Sequence, residues 1–147
     1  MINKIFIACP ISKYINGKEF TNNDFKLFIE KLYTLCQEFV PGVFLALRRE
    51  EFGKKLMTDI CTVLDFNEIS SSDWIIAIPE DSMGVAVELG WAMVLKKRTI
   101  LLLDKSQRYT PLISGMGDIT DTTVIFYDHV LNDQVLKDIR EFMLTNL

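Results

Sequence analysis

Short, continuously apolar runs separated by longer segments of helical period are the feature that most constrains the fold of this chain. Three such runs, Ile5–Cys9, Trp74–Ile78 and Thr99–Leu103, contain no charged residue. Strands that are apolar on both faces belong to a parallel sheet covered by helices on either side, because neither face then meets water. Two further strands are predicted at Val43–Leu47 and Thr123–Tyr127. The pattern predicts a three-layer, doubly wound α/β fold with five parallel strands.

Segments of helical period lie between these runs. A helix is predicted from Thr21 to Val40, with one apolar face and with Asp24 completing a capping box at its start. Further helices are predicted at Lys54–Ile69 and Gly84–Lys96. The repeated order of strand and helix is typical of parallel sheets built from crossover units.

The chain is predicted to form a single domain, residues 1–147, because it contains no linker, internal repeat or low-complexity tract. Its last helix is amphipathic and takes Asn132 as its N-cap. Five strand and helix units favour a flavodoxin-like or Rossmann-like sheet with strand order 2-1-3-4-5.

Two loops are therefore expected to line a ligand site. In this strand order, ligands bind at the carboxyl ends of the first and third strands, where the connections change direction. The loop after the first strand is Cys9-Pro10-Ile11-Ser12, and the loop after the third runs from Glu80 to Gly84.

Composition limits the partners that this chain can have. A formal net charge of −4 argues against a nucleic-acid polymer, although one helix N-terminus can still hold a single phosphate. Cys9, Cys36 and Cys61 are far apart and form no CxxC pair, and the lone His129 cannot complete a metal site. We expect reduced thiols, with Cys36 and Cys61 packed against the core.

The lengths of the apolar runs indicate the cellular compartment. None approaches the length of a membrane span, and the first one is too short for a signal peptide. The expectation is a cytoplasmic protein without a membrane partner.

Several catalytic and nucleotide-binding motifs are missing. There is no GxxxxGK[ST] loop and no GxSxG elbow, and Gly115-Met116-Gly117 does not lie between a strand and a helix. Cys9 is conceivable as a nucleophile, but no base is evident beside it.

The segment Ser82-Met83-Gly84-Val85-Ala86-Val87-Glu88-Leu89-Gly90 is more informative. It leads from the third strand into a helix, and Gly84 lets the backbone turn tightly at a helix start that favours an anion. Glu88 follows about one turn later. Spacing alone leaves two interpretations open, a reactive carboxylate or a solvated glutamate that stabilises the helix dipole. For Asp65, spacing alone favours an exposed polar residue.

These residues resemble the nucleoside 2-deoxyribosyltransferase superfamily. The segment from Asp65 through the Ser72-Asp73 turn and the third strand, followed by Ser82-x-Gly84-Val85-x-x-Glu88-Leu89-Gly90-x-Ala92, is similar to that family's succession of aspartate, "SD" turn, apolar strand and "GxxxELGxA" helix start. The first strand and its Cys9-Pro10 loop resemble the family's "AGP" loop. The resemblance covers most of the chain and is weakest between Ser12 and Met57.

The resemblance implies roles for individual residues. It places the family's nucleophilic glutamate at Glu88 and its substrate-orienting aspartate at Asp65. The transferases have a second aspartate where this chain has Ser82, and serine there resembles the branch that hydrolyses nucleoside 5'-monophosphates. A hydroxyl can donate to a phosphate dianion that a carboxylate would repel. The chain departs from the family at Cys9, where glycine is usual, and at Phe6, where some members have tyrosine.

The implied reaction resembles retaining glycoside hydrolysis. Glu88 would attack C1' of the sugar, and water would release the sugar phosphate, with no metal or organic cofactor. Ser82, Gly84 and Ser12 would bind the phosphate. Lys13 is either a further cation for the phosphate or a solvated loop lysine.

The resemblance also implies at least a homodimer, in which the neighbour's later loop closes the site. That loop is predicted at Thr110–Asp118, with Ser114 as its candidate. Besides a nucleotide N-glycosidase, two alternatives stay open. One is a base-exchanging deoxyribosyltransferase, against which Ser82 counts. The other is a non-catalytic nucleotide-binding module.

Overall fold

The five main strands form one parallel sheet. The computed structural model describes residues Met1–Leu147. The strands are β1 (Lys4–Ala8), β4 (Gly42–Leu45), β5 (Trp74–Ala77), β6 (Arg98–Asp104) and β7 (Thr122–Tyr127). They lie in the sheet in the order β4-β1-β5-β6-β7. This is the predicted order 2-1-3-4-5, and the prediction of a doubly wound α/β fold is confirmed.

Helices cover both faces of the sheet. They are α1 (Asn23–Gln37), α2 (Ala46–Arg49), α3 (Cys61–Ser71), α4 (Met83–Val94), α5 (Pro111–Ser114) and α6 (Asp133–Asn146). A small antiparallel hairpin, β2 (Ile15–Asn16) with β3 (Glu19–Phe20), follows β1 and was not predicted. No helix combines the length and the apolar character that crossing a membrane requires.

Alternation along β1 divides the core into two layers. Ile5 and Ile7 belong to the larger apolar cluster, which includes buried residues of α1 and α6. Phe6 and Ala8 belong to the smaller cluster, which includes buried residues of α3 and α4. Successive side chains of a strand point to opposite faces, so the apolar run Ile5–Ala8 of β1 contributes to both layers.

Side-chain caps fix the starts of four helices, α1, α4, α5 and α6. Asn22, and not Thr21, caps α1, since its side chain accepts a hydrogen bond from Phe25 N. The predicted capping box at Thr21 is wrong because the Thr21 hydroxyl donates instead to the carbonyl of Tyr14. Asn132 caps α6 as predicted.

The predicted helix over Lys54–Ile69 is wrong in its first half. The helix begins only at Cys61, because Ile60 has a left-handed backbone with φ 52°. Leu56, Ile60 and Val63 have helical spacing but are exposed, so the apolar pattern that predicted a helix does not reflect burial in the core.

The second predicted strand, Val43–Leu47, is also shorter than expected. It ends at Leu45, and the chain turns directly into α2. Of the two cysteines expected in the core, Cys36 is fully buried, whereas Cys61 is partly exposed at the start of α3. The expectation is therefore correct for Cys36 and wrong for Cys61.

Candidate active site

A cavity of about 520 Å³ opens at the carboxyl ends of β1 and β5. It lies where the strand order predicts a ligand site, because the connections from these neighbouring strands leave in opposite directions. Nine of the ten candidate site residues line it: Cys9, Pro10, Ile11, Ser12, Lys13, Asp65, Ser82, Gly84 and Glu88. The tenth, Ser114, lines a different cavity with Leu103 and Phe126, which leaves its role as a residue of a neighbouring subunit a prediction.

A groove of similar volume lies between α1 and α6, but its lining is different in kind. It is mostly charged, and ion pairs such as Lys31 with Asp133 and Arg140 with Glu38 cross it. Its charged groups therefore neutralise one another. The cavity at the strand ends holds the candidate catalytic carboxyls.

Glu88 lies in α4, on the side that faces the cavity, and its carboxyl is largely withdrawn from water. The pKa of Glu88 is raised from 4.5 to about 8, chiefly by burial and then by the nearby Asp65, while Arg49 opposes both effects. Away from water, the charged form of a carboxyl is less stable than the neutral form, which raises its pKa. Perturbed groups of this kind are concentrated at functional sites.

Asp65 is fixed by a residue that the sequence analysis did not select. Arg49, at the end of α2, donates from Nη1 to Asp65 Oδ1 at 2.5 Å. The guanidinium also lies over the ring of Phe44, 5.4 Å from its centroid. The Asp65 carboxylate is thus held beside Glu88 by a guanidinium that is itself fixed by packing.

The N-terminus of α4 forms one wall of the cavity. Ser82 is its N-cap, and its hydroxyl accepts from Val85 N at 3.3 Å. The first N–H groups of a helix have no partner within it, so those at the start of α4 can bind an anion.

Gly84 serves this wall differently from the prediction. It has no positive φ, so no tight turn requires glycine there. A Cβ at Gly84 would come within 3.8 Å of Ser82 Oγ. The missing side chain leaves the approach to the helix start open.

No family model matches the sequence, and a search of curated protein sequences finds no match. Solved structures do match. The CMP N-glycosidase BcmB from Clostridium botulinum is 26% identical, with a TM-score of 0.73 over 95% of this chain and 99% of that one. BlsM is 27% identical, with a TM-score of 0.81 over 99% of this chain and 91% of that one. A 2-deoxyribosyltransferase from Bacillus psychrosaccharolyticus, 17% identical with a TM-score of 0.59 over 93% and 90% of the two chains, shares the fold.

These neighbours belong to the nucleoside 2-deoxyribosyltransferase-like superfamily. The resemblance seen in the sequence is thereby confirmed, with the N-glycosidase branch close. The named neighbours include an N-glycosidase and a transferase, and both act on small nucleotide or nucleoside substrates.

Phe6 and Cys9, the two residues that depart from the superfamily's sequence pattern, are both buried. Phe6 is fully buried and stacks on Phe44, with ring centroids 5.1 Å apart. Cys9 is buried at the cavity wall, where burial, then Glu88 and then Glu80 raise the pKa of its thiol. Because the thiolate is the nucleophilic form of cysteine, this environment argues against Cys9 as a nucleophile.

Lys13 crosses the mouth of the cavity from one loop to the other. Its ammonium forms ion pairs with Glu80 and, at 2.8 Å, with Asp81, both in the loop after β5. Burial lowers the pKa of Lys13, but its bonds to Asp81 and Glu80 outweigh that effect and raise the pKa above the usual range. Lys13 is therefore not a free loop lysine.

Sequence reasoning missed one basic and one acidic residue of the cavity lining. Arg49 and Glu50 follow β4, the edge strand beside β1, and both line the cavity. They lie in the segment where the family resemblance is weakest. The available signal was their position, because charged residues directly after a parallel strand lie at its carboxyl end.

One group of side chains has the spacing of a metal site. Ligand atoms of Asp104, Asp128 and His129 lie within 4.8 Å of one another. Asp104 Oδ1 already accepts hydrogen bonds from Ser106 N, Ser106 Oγ and His129 N. None of the three residues lines the cavity that contains Glu88.

Proposed function

We propose that this protein hydrolyses the N-glycosidic bond of a nucleoside 5'-monophosphate, releasing free base and ribose or deoxyribose 5-phosphate. The observation that carries the proposal is Glu88, a desolvated carboxyl that faces the cavity and lies about one turn from an anion-binding helix start. The CMP N-glycosidase BcmB, similar over nearly the whole chain, supports the same reaction class.

Glu88 acts as the nucleophile. Its carboxylate forms a bond to C1' of the sugar while the bond from C1' to the base nitrogen breaks, and the base leaves with that electron pair and takes up a proton from solvent. Water then attacks C1', the bond from C1' to Glu88 breaks and the attacking water gives up a proton to solvent, which frees the carboxylate and releases the sugar phosphate. Asp65, held by Arg49, orients the sugar or the base beside Glu88. The proposed reaction needs no metal and no organic cofactor.

The phosphate binds at the start of α4. The Ser82 hydroxyl and the free N–H groups of the first helical turn donate to it, as does the hydroxyl of Ser12. Lys13 has three N–H donors, of which the structure commits two to Glu80 and Asp81, so one remains for a phosphate oxygen.

Two copies of the chain form a homodimer. Within α4, Glu88 is the one charged residue, and the large exposed side chains Met83, Val87 and Val94 follow one another at helical spacing. An exposed apolar surface of this kind marks a protein interface, and a homodimer would cover it. The three free thiols agree with a place in the reducing cytoplasm.

The test is release of free base from a panel of ribo- and deoxyribonucleoside 5'-monophosphates and the matching nucleosides. Wild type, Glu88→Ala and Glu88→Gln are compared, with Glu141→Gln at an exposed position of α6 as the matched control. We expect release from a monophosphate by wild type and the control, and none by either Glu88 variant. Adding a second, labelled base tests for exchange, because a labelled nucleoside product would identify a transferase instead. No release and no exchange across the panel would refute both enzymatic assignments for common nucleotides.

A further inference from the structure

Glu50 carries a buried carboxylate oxygen that has no partner. The residue is 4% exposed and lines the cavity with Glu88, yet its Oε2 makes no hydrogen bond. Buried polar atoms in native proteins are almost always paired, because leaving one unpaired destabilises the fold. The oxygen itself has almost no accessible surface, so it meets a ligand only when the Glu50 carboxyl turns toward the cavity. A hydrogen-bond donor of the ligand would then satisfy it.

The surrounding backbone holds this carboxylate in place. Glu50 Oε1 accepts from Met57 N at 3.0 Å, and the Glu50 carbonyl accepts from Gly53 N and from Lys55 N, both at 3.1 Å. The next two residues, Glu51 and Phe52, have left-handed φ angles of 49° and 53°. Non-glycine residues adopt this conformation only where the structure enforces it. Glu50 is thus fixed at one oxygen and free at the other.

Arg49 places an unpaired donor beside this acceptor. Its Nη1 is bound to Asp65 and its Nη2 lies 3.6 Å from Glu50 Oε1, but its Nε is buried without a partner. Arg49 also lines the cavity. One wall therefore offers an acceptor that can only accept and a donor that can only donate.

We propose that Glu50 recognises the base of the substrate by accepting a hydrogen bond from its exocyclic amino group, while Arg49 Nε donates to an adjacent ring nitrogen or carbonyl. The inference rests on the proposed function and names its substrate class, which is nucleotides of amino-bearing bases. Cytosine and adenine present an amino group next to an unprotonated ring nitrogen. Uracil and hypoxanthine have a carbonyl oxygen at the position where cytosine and adenine have the amino group. Because that oxygen and the Glu50 carboxylate are both acceptors, they cannot form a hydrogen bond with each other.

Two substrate pairs that differ in this one group test the proposal, namely CMP with UMP and AMP with IMP. We expect wild type to favour an amino-bearing member over its partner by at least about tenfold in kcat/KM, the effect of one hydrogen bond to a charged group. Glu50→Gln keeps the oxygen that Met57 N needs and can turn its NH₂ toward a carbonyl, so that the preference narrows or reverses. Glu51→Gln, exposed and paired with Lys55, is the matched control and keeps the wild-type preference.

A binding measurement separates this inference from the proposed reaction. The dissociation constants of CMP, UMP, AMP and IMP are measured by calorimetry on Glu88→Gln, with and without Glu50→Gln. If wild type releases no base, the proposed reaction fails, yet tighter binding of an amino-bearing member that Glu50→Gln abolishes would still support the role of Glu50. Equal binding within both pairs, or a preference that Glu50→Gln leaves unchanged, would overturn it. A merely structural role would reduce activity on all four nucleotides alike.

Discussion

Replacing Glu88 with glutamine should make the protein more stable, and more so as the pH rises. In the folded state burial raises the pKa of Glu88 to about 8, whereas in the unfolded chain it returns to 4.5. A carboxyl whose folded-state pKa is raised contributes stability that is fully present below the unfolded pKa. That contribution is lost as the pH rises through the folded pKa, because the unfolded chain releases its proton first. Glutamine resembles the protonated side chain and carries no such dependence.

The magnitude follows from the size of the shift. Each unit of pKa difference corresponds to about 1.4 kcal/mol, so between pH 5.5 and pH 8 the advantage of Glu88→Gln should grow by about 2–3 kcal/mol. For a chain of 147 residues this growth corresponds to roughly 5–10 °C in melting temperature.

Urea unfolding of wild type and variant at the two pH values measures this difference directly. Glu141→Gln, at an exposed position of α6, is the control and should show no such growth with pH. A stability difference for Glu88→Gln that is the same at both pH values would refute the argument that burial keeps Glu88 protonated.

Two further predictions concern rate and assembly. If the Glu88 carboxylate is the nucleophile, kcat/KM of wild type should rise with pH and level off above about pH 8. Asp65→Asn removes a neighbouring negative charge and should move this rise to lower pH. Arg49→Leu removes a positive charge and should move the rise to higher pH. A rate that falls over this range would show instead that Glu88 acts in its protonated form. Introducing Val87→Glu together with Val94→Glu on the exposed face of α4 should convert a wild-type dimer to a monomer of 16.9 kDa in sedimentation velocity. A wild type that already sediments at that mass would contradict the proposed dimer.

The sheet was predictable because its strands are specified locally. Runs such as Trp74–Ile78 are apolar on both faces, and the order of such runs along the chain admits few topologies. The helix predicted from Lys54 failed for the opposite reason. Leu56 and Ile60 have helical spacing in the sequence, but they lie in an irregular segment over the cavity, and only tertiary structure determines that they stay exposed.

The candidate site was predictable where it is contiguous in sequence. Ser82, Gly84 and Glu88 lie on the loop and first turns of one helix, so their spacing alone brings them together. Arg49 reaches Asp65 across 16 residues of chain, from the end of α2 to the middle of α3. That contact depends on how two separate helices pack beside the sheet, and no local pattern contains it.

The distribution of charge in the cavity explains why the pKa of Glu88 is strongly raised. The lining contains two cations, and each is committed to other carboxylates. Arg49 is bound to Asp65 and lies near Glu50, while Lys13 is bound to Glu80 and Asp81. Glu88 is thus desolvated without an ion-pair partner, and the more distant Arg49 offsets only part of the effect of burial on its negative charge. A carboxylate in that state gains most from forming a bond to the cationic sugar carbon, since the bond removes the charge that burial penalises. The same arrangement that makes Glu88 unfavourable for folding therefore suits it to attack C1', which is why loss of activity and gain of stability are expected together in Glu88→Gln.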